Sequence, residues 1–147
     1  MSSKTLHLFH VDDDENDRYF VARAVRAAAL PIEVKNAPGG PEALAMLRTA
    51  AIHPDLLLLD IKMPEMSGFD VLKELKNTGP EVPVVMYSSS SHESDVERAR
   101  ELGAHAYCVK PSGLTQLVEF IKRLYHAWLR SEKPCEWPAK APESNAR

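Results

Sequence analysis

No stretch of this chain approaches the roughly 20 consecutive apolar residues that span a bilayer. Met1 to Leu8 also lacks the apolar core of a signal peptide. These absences point to a soluble, cytoplasmic protein with no membrane partner. Only two cysteines, Cys108 and Cys135, occur in 147 residues. They cannot build a disulfide framework and are read as unpaired thiols in a reducing compartment. Lys and Arg number 18 against 21 Asp and Glu, so no basic footprint for nucleic acid is present. Glycine is scarce at six residues, and Gly39-Gly40 is too short for a phosphate-binding fingerprint. The six histidines, His7, His10, His53, His92, His105 and His126, show no metal-ligand spacing with the cysteines. His10 falls on a strand-like run and reads as a packed residue. No internal repeat is found. The length is that of one domain able to bury a core.

The stretch that organises the chain is Leu56-Leu57-Leu58-Leu59-Asp60-Ile61-Lys62-Met63-Pro64 through Gly68. Four leucines without alternation fit a strand buried on both faces, as in a parallel sheet. Pro54 before the run, and Pro64 and Gly68 after it, favour a strand over a buried helix. Asp60 then stands at the carboxyl end of a central strand, where open α/β sheets hold their ligands.

The other segments repeat this design. Leu6 to Val11 reads as a strand closed by Asp12, Asp13 and Asp14. Asp14 or Asn16 caps a helix whose buried stripe is read as Phe20, Val21, Ala24, Val25 and Ala28. Ile32 to Asn36 is a second strand, and Pro41 opens a helix through Leu47. Asp55 to Leu59 is the third strand, followed by a helix from Ser67-Gly68 to about Gly79. Val84 to Tyr87 is the fourth strand. Ser88 to Ser91 follows it, a flexible low-complexity loop or a phosphate-handling one. A charged helix covers Glu93 to Leu102, Ala106 to Val109 is the fifth strand, and a last helix runs from Leu114 to Leu129. The prolines and sparse apolar content of 131–147 suggest a disordered tail behind a domain of residues 1–130.

Five strands alternating with five helices predict an α/β fold: a doubly wound parallel sheet with helices on both faces. Asp12, Asp13, Asp60, Ser88 and Lys110 all lie at strand ends and converge on one edge of such a sheet. Three carboxylates together repel one another. A divalent cation relieves that conflict, and all-oxygen ligation suits Mg²⁺. With the Lys110 charge and the Ser88 hydroxyl, the set suits phosphoryl transfer.

Four pieces in order, Val11-Asp12-Asp13, Leu59-Asp60 through Gly68, Pro83-Val84-Val85-Met86-Tyr87-Ser88, and Gly103-Ala104 through Tyr107-Cys108-Val109-Lys110-Pro111, resemble the receiver domain of two-component response regulators. The likeness runs from about Leu6 to Leu129. It implies a flavodoxin-like (βα)5 fold with strand order 2-1-3-4-5. It further implies that Asp60 is the phosphoacceptor and that Asp12, Asp13, Asp60 and the Lys62 carbonyl hold Mg²⁺. Ser88 would be the switch hydroxyl, Tyr107 the switch aromatic that moves inward, and Lys110 the phosphate-binding lysine before a Pro111 peptide open to the cis form. The donor would be a sensor histidine kinase, and the chain would catalyse only its own phosphorylation and dephosphorylation. With no output domain expected after Leu129, signalling would pass by protein contact, phosphorelay or a homodimer. The Ser88–Ser91 run, the loop before the fourth strand and Tyr125 to Leu129 look like stand-alone receivers that partner phytochrome-type kinases (bacteriophytochromes). Trp128 is read as either an interface anchor or a core residue.

Two other classes compete. A phosphatase of the haloacid dehalogenase type would use Asp12-Asp13-Asp14 as its Asp-x-Asp, but Asn16 replaces the threonine it wants and Asp60 is left without a role. A pseudo-receiver docking module would not need to keep repelling carboxylates together.

Overall fold

The computed structural model describes residues 4–138. One parallel sheet of five strands forms its middle, in the order β2-β1-β3-β4-β5. The strands are β1 (Leu6–Val11), β2 (Ile32–Ala37), β3 (Leu56–Leu59), β4 (Val84–Ser88) and β5 (Ala106–Val109). Between and after them lie α1 (Glu15–Ala28), α2 (Gly40–Arg48), α3 (Gly68–Thr78), α4 (Glu93–Glu101) and α5 (Leu114–Leu129).

The four-leucine run is explained by its place in the sheet. Leu57 and Leu59 face a core layer with Phe69, Leu72 and Val96, while Leu56 and Leu58 face a second layer with Val21, Phe120 and Ile121. A strand covered on both faces has no solvated side to alternate with. Each fully buried leucine contributes about 1.5–3 kcal/mol. Helix boundaries follow local chemistry. Asp14 caps α1, its Oδ1 accepting from the Asn16 N–H at 2.8 Å. Ser67 and Asp70 form a reciprocal capping box at the start of α3.

Register aligns the polar ends. Val11 pairs with Leu59, so Asp12 and Asp60 are the next residues on adjacent strands. The Asp60 N–H donates to the Val11 carbonyl at 3.0 Å. Ser88 pairs with Val109, and the Lys110 N–H donates to the Ser88 carbonyl at 2.8 Å.

Several expectations are corrected. Phe20 is not part of the buried stripe: it is 44% exposed, beside exposed Tyr19. Val21, Ala24, Val25 and Ala28 fill that stripe because they alone face the α5 side of the sheet. The cysteines are not unpaired; Cys108 and Cys135 form a disulfide. No peptide bond is cis among the described residues, that before Pro111 included. Residues 131–138 have neither helix nor strand, yet they lie against the domain. Cys135 is bonded to β5 and Trp137 packs on the layer that holds Tyr107. The remainder of the tail, 139–147, falls outside the described residues. Trp128 is half-buried, packed on Tyr125 and covered by the Lys4 ammonium 5.0 Å from its ring.

Candidate phosphoryl-acceptor site

The strand ends bring together Asp12, Asp13, Asp60 and Lys110, as the alternation predicted. One carboxylate oxygen from each of Asp12, Asp13 and Asp60 lies within 4.8 Å of the others. Asp12 and Asp60 are buried and Asp13 is exposed. Lys110 reaches in from the end of β5: its Nζ is 3.1 Å from Asp12 Oδ2 and 3.4 Å from Asp60 Oδ1. Its shortest contact, 2.7 Å, is with Asp17 Oδ2 on the first turn of α1. Sequence reasoning missed Asp17, which reads there only as an acidic residue favoured at a helix start. The pairing spans 93 positions and exists only because the fold brings the residue after β5 within reach of the start of α1.

Charge crowding sets the chemistry. Burial, and then the negative charge of Asp12, pushes the Asp60 carboxyl up to about 6, against the pull of Lys110 and the Ile61 backbone. Burial also acts to raise Asp12. The His10 imidazole, the Asp14 N–H and the Lys110 charge outweigh it and hold Asp12 below its ordinary value. Lys110 loses some solvation, but Asp17, Asp60 and Asp12 hold it above the usual lysine range and therefore charged. His10 is fully buried, as expected of a packed residue, edge-on to Tyr87 at 5.8 Å between centroids. Its Nε2 approaches Asp12 Oδ2 at 3.4 Å. Neither ring nitrogen makes a geometrically formed hydrogen bond, so the approach acts as electrostatic proximity.

Gly68 has a structural role in this site. A Cβ there would collide with the Asp60 carbonyl oxygen, and the Gly68 N–H donates to the Ile61 carbonyl at 2.8 Å. The loop from Ile61 through Lys62 to Ser67 is thereby folded back against the end of β3, with Lys62 two residues beyond Asp60.

Ser88 is buried at the end of β4, the strand beside β3, and its Oγ accepts from the Ser90 N–H at 3.1 Å. A second neighbour of that hydroxyl is the Tyr107 hydroxyl. The serine run is therefore partly ordered: Ser90 Oγ donates to Asp95 Oδ2 at 2.9 Å and accepts from the His92 N–H. Tyr107, the expected switch aromatic, lies inside the domain in this structure. It is fully buried, and its hydroxyl donates to the Ser90 carbonyl at 2.6 Å. Strand alternation points it toward α4, where burial raises its pKa and keeps it a neutral donor. Asp14 is exposed and engaged as the α1 cap, so the Asp-x-Asp phosphatase alternative lacks its second carboxylate.

The donor set fits a hard divalent cation: three carboxylates, no thiolate or imidazole ligand, and a charge conflict that such an ion removes. A manganese-bound form is known for a structural neighbour, the response regulator Rcp1. It shares 27% identity over 91% of this chain and 99% of that one, at a TM-score of 0.74.

With five parallel strands in the order 2-1-3-4-5 and an acidic cluster at their ends, this is a flavodoxin-like receiver architecture. The chain belongs to the response regulator receiver domain family, which matches residues 8–122. It is also similar to the phosphorylated cyanobacterial phytochrome response regulator RcpA, at 32% identity and a TM-score of 0.78, covering 88% of this chain and 98% of that one. The DNA-binding transcriptional regulator NtrC of Klebsiella pneumoniae is 31% identical over 135 residues, 92% of this chain. The chain spans only 28% of NtrC's length.

Proposed function

We propose that this receiver takes a phosphoryl group onto Asp60 from a phosphohistidine of a sensor histidine kinase and signals through its folded surface. The observation that carries this is Asp60 itself: buried at the end of β3, flanked by carboxylates, with the Lys110 ammonium 3.4 Å away. An Asp60 carboxylate oxygen attacks phosphorus, a P–O bond forms as the P–N bond breaks, and the leaving imidazole takes up a proton. At neutral pH Asp60 is ionised, and its raised pKa makes it the more basic nucleophile. Asp12, Asp13, Asp60 and the Lys62 carbonyl would hold Mg²⁺. Bound there, it neutralises carboxylate and phosphoryl charge. Lys110 balances the dianion, and Ser88 offers it a hydroxyl donor. Attack by water later returns Asp60 to a carboxylate, so the chain acts on itself alone.

The signalling unit is the receiver domain, residues 1–130, working in the cytoplasm. Its output passes by docking, self-association or phosphorelay, with α4, β5 and α5 as the responding face. Likeness to a phytochrome response regulator makes a phytochrome-type kinase the partner to try first. The test is intact mass after incubation with acetyl phosphate and Mg²⁺. One phosphoryl increment is expected, absent with a chelator and in Asp60→Asn. Stable labelling of Asp60→Asn would move the acceptor elsewhere and refute the assignment.

A further inference from the structure

The segment after α5 meets both faces of the outermost strand. Among the described residues β5 pairs with β4 alone, so its other edge has no strand partner there. Alternation places Tyr107 in the core layer on the α4 side and Cys108 in the layer on the α5 side. Cys135 is bonded to Cys108 on the α5 side. Two residues later Trp137 packs on the α4 side, its ring centroid 6.5 Å from that of Tyr107. The Arg100 guanidinium of α4 sits 4.8 Å from the Trp137 ring. The chain must therefore pass round that edge of β5 between these two contacts. Val109, on the Tyr107 side of the strand, stays 43% exposed, so this face carries apolar surface beyond what the segment covers.

The geometry points to a redox-held strap: residues 131–138 act as an intramolecular ligand of the α4–β5 face, pinned by the Cys108–Cys135 bond and released when a dithiol reduces it. The step balances as thiol–disulfide exchange. The reductant gives two electrons and two protons to the S–S bond, two cysteine thiols form, and the dithiol leaves as its own disulfide. Reoxidation needs a disulfide oxidant of the glutathione type running the same exchange backwards. In a reducing compartment such a bond is transient, as redox-sensing disulfides are. Without it, the backbone bonds of Ser131 and Glu132 to the end of α5 hold only the start of the segment, and the half-buried Trp137 with its cation–π contact on exposed Arg100 is too little to hold the rest against its conformational freedom. The strap bears directly on signalling because the ring under Trp137 is Tyr107, whose hydroxyl is bonded to the Ser90 carbonyl in the loop after Ser88. This consequence rests on the proposal that the α4–β5–α5 face is the output surface; the strap itself does not.

The chain has two tryptophans, so Trp128→Phe leaves Trp137 as the sole reporter. In the air-oxidised full-length variant, acrylamide quenching of Trp137 should rise at least threefold on adding dithiothreitol. Adding Cys135→Ser should give the high value without reductant and make it insensitive to reductant. Beryllofluoride-induced self-association should be at least tenfold stronger in the released forms. The strap is refuted if both cysteines alkylate in the denatured, unreduced chain, or if quenching is equal in the two redox states. Equal association constants in both states would overturn the masking of the face. Asp60 labelling by acetyl phosphate, read by intact mass in the same samples, tests the receiver assignment separately, because the quenching does not need a phosphoryl group.

Discussion

Asp60→Asn should make the metal-free protein more stable at neutral and higher pH, although it removes the proposed acceptor. Asp60 has an ordinary value of 3.8 and stands at about 6 in the folded chain, with burial the largest cause and Asp12 the second. Because the folded-state value lies above the unfolded one, the native state binds more protons between the two, and stability falls as pH rises through that window. The cost is absent below about 4, grows between about 4 and 6, and is complete above about 6. At about 1.4 kcal/mol for each tenfold in the proton equilibrium, the full effect is about 3 kcal/mol. Asparagine has nearly the same shape and no charge, so it should recover most of that amount. Urea unfolding in EDTA at pH 8 and pH 5 measures it. The variant should be more stable by about 2–3 kcal/mol at pH 8, and the difference should shrink at pH 5. Adding Mg²⁺ should narrow the gap by stabilising the wild type. A variant no more stable than wild type at pH 8, or a difference that does not shrink with acid, would refute the account of Asp60 as a strained carboxylate.

Three further outcomes are expected. Asp17→Asn removes the shortest partner of Lys110, which should cut the acetyl phosphate labelling rate of Asp60 several-fold in stopped-time mass measurements while leaving α1 helical by circular dichroism. Gly68→Ala drives a methyl group into the Asp60 carbonyl and should cost about 1–3 kcal/mol in denaturant unfolding, together with a slower labelling rate. Ser88→Ala keeps the carboxylates and Lys110, so labelling should persist. The phosphorylation-dependent change in amide exchange around Ser90 and Tyr107 should be lost.

Local rules carried much of the fold. The unbroken leucines of β3, the polar residue ending each strand, and the caps at Asp14 and Ser67 are all short-range features, and each lies where its own neighbours put it. Strict alternation of strands and helices then implied a parallel sheet, and a parallel sheet collects strand ends at one edge. Asp12, Asp13, Asp60, Ser88 and Lys110 were therefore legible as a group in the sequence, and the order of the motifs pointed to the receiver family. What could not be read locally were contacts between distant segments whose residue types suit several environments. Phe20 looks apolar at helical spacing, yet whether it meets a partner depends on the rotation of α1 against α5. Asp17 looks like a helix-start acid until the fold brings Lys110 within reach of it. Nothing near Trp128 in the sequence shows that Lys4, at the other end of the chain, covers its ring. Tyr107 could be assigned to a strand, but its position inside the domain depends on a Ser90 carbonyl that only the β4–α4 loop supplies. The cysteines show the limit most clearly: two lone thiols, one in a strand and one in a proline-rich tail, carry no pairing signal. Only the return of the chain along the outer edge of β5 brings Cys135 to Cys108 and Trp137 to Tyr107.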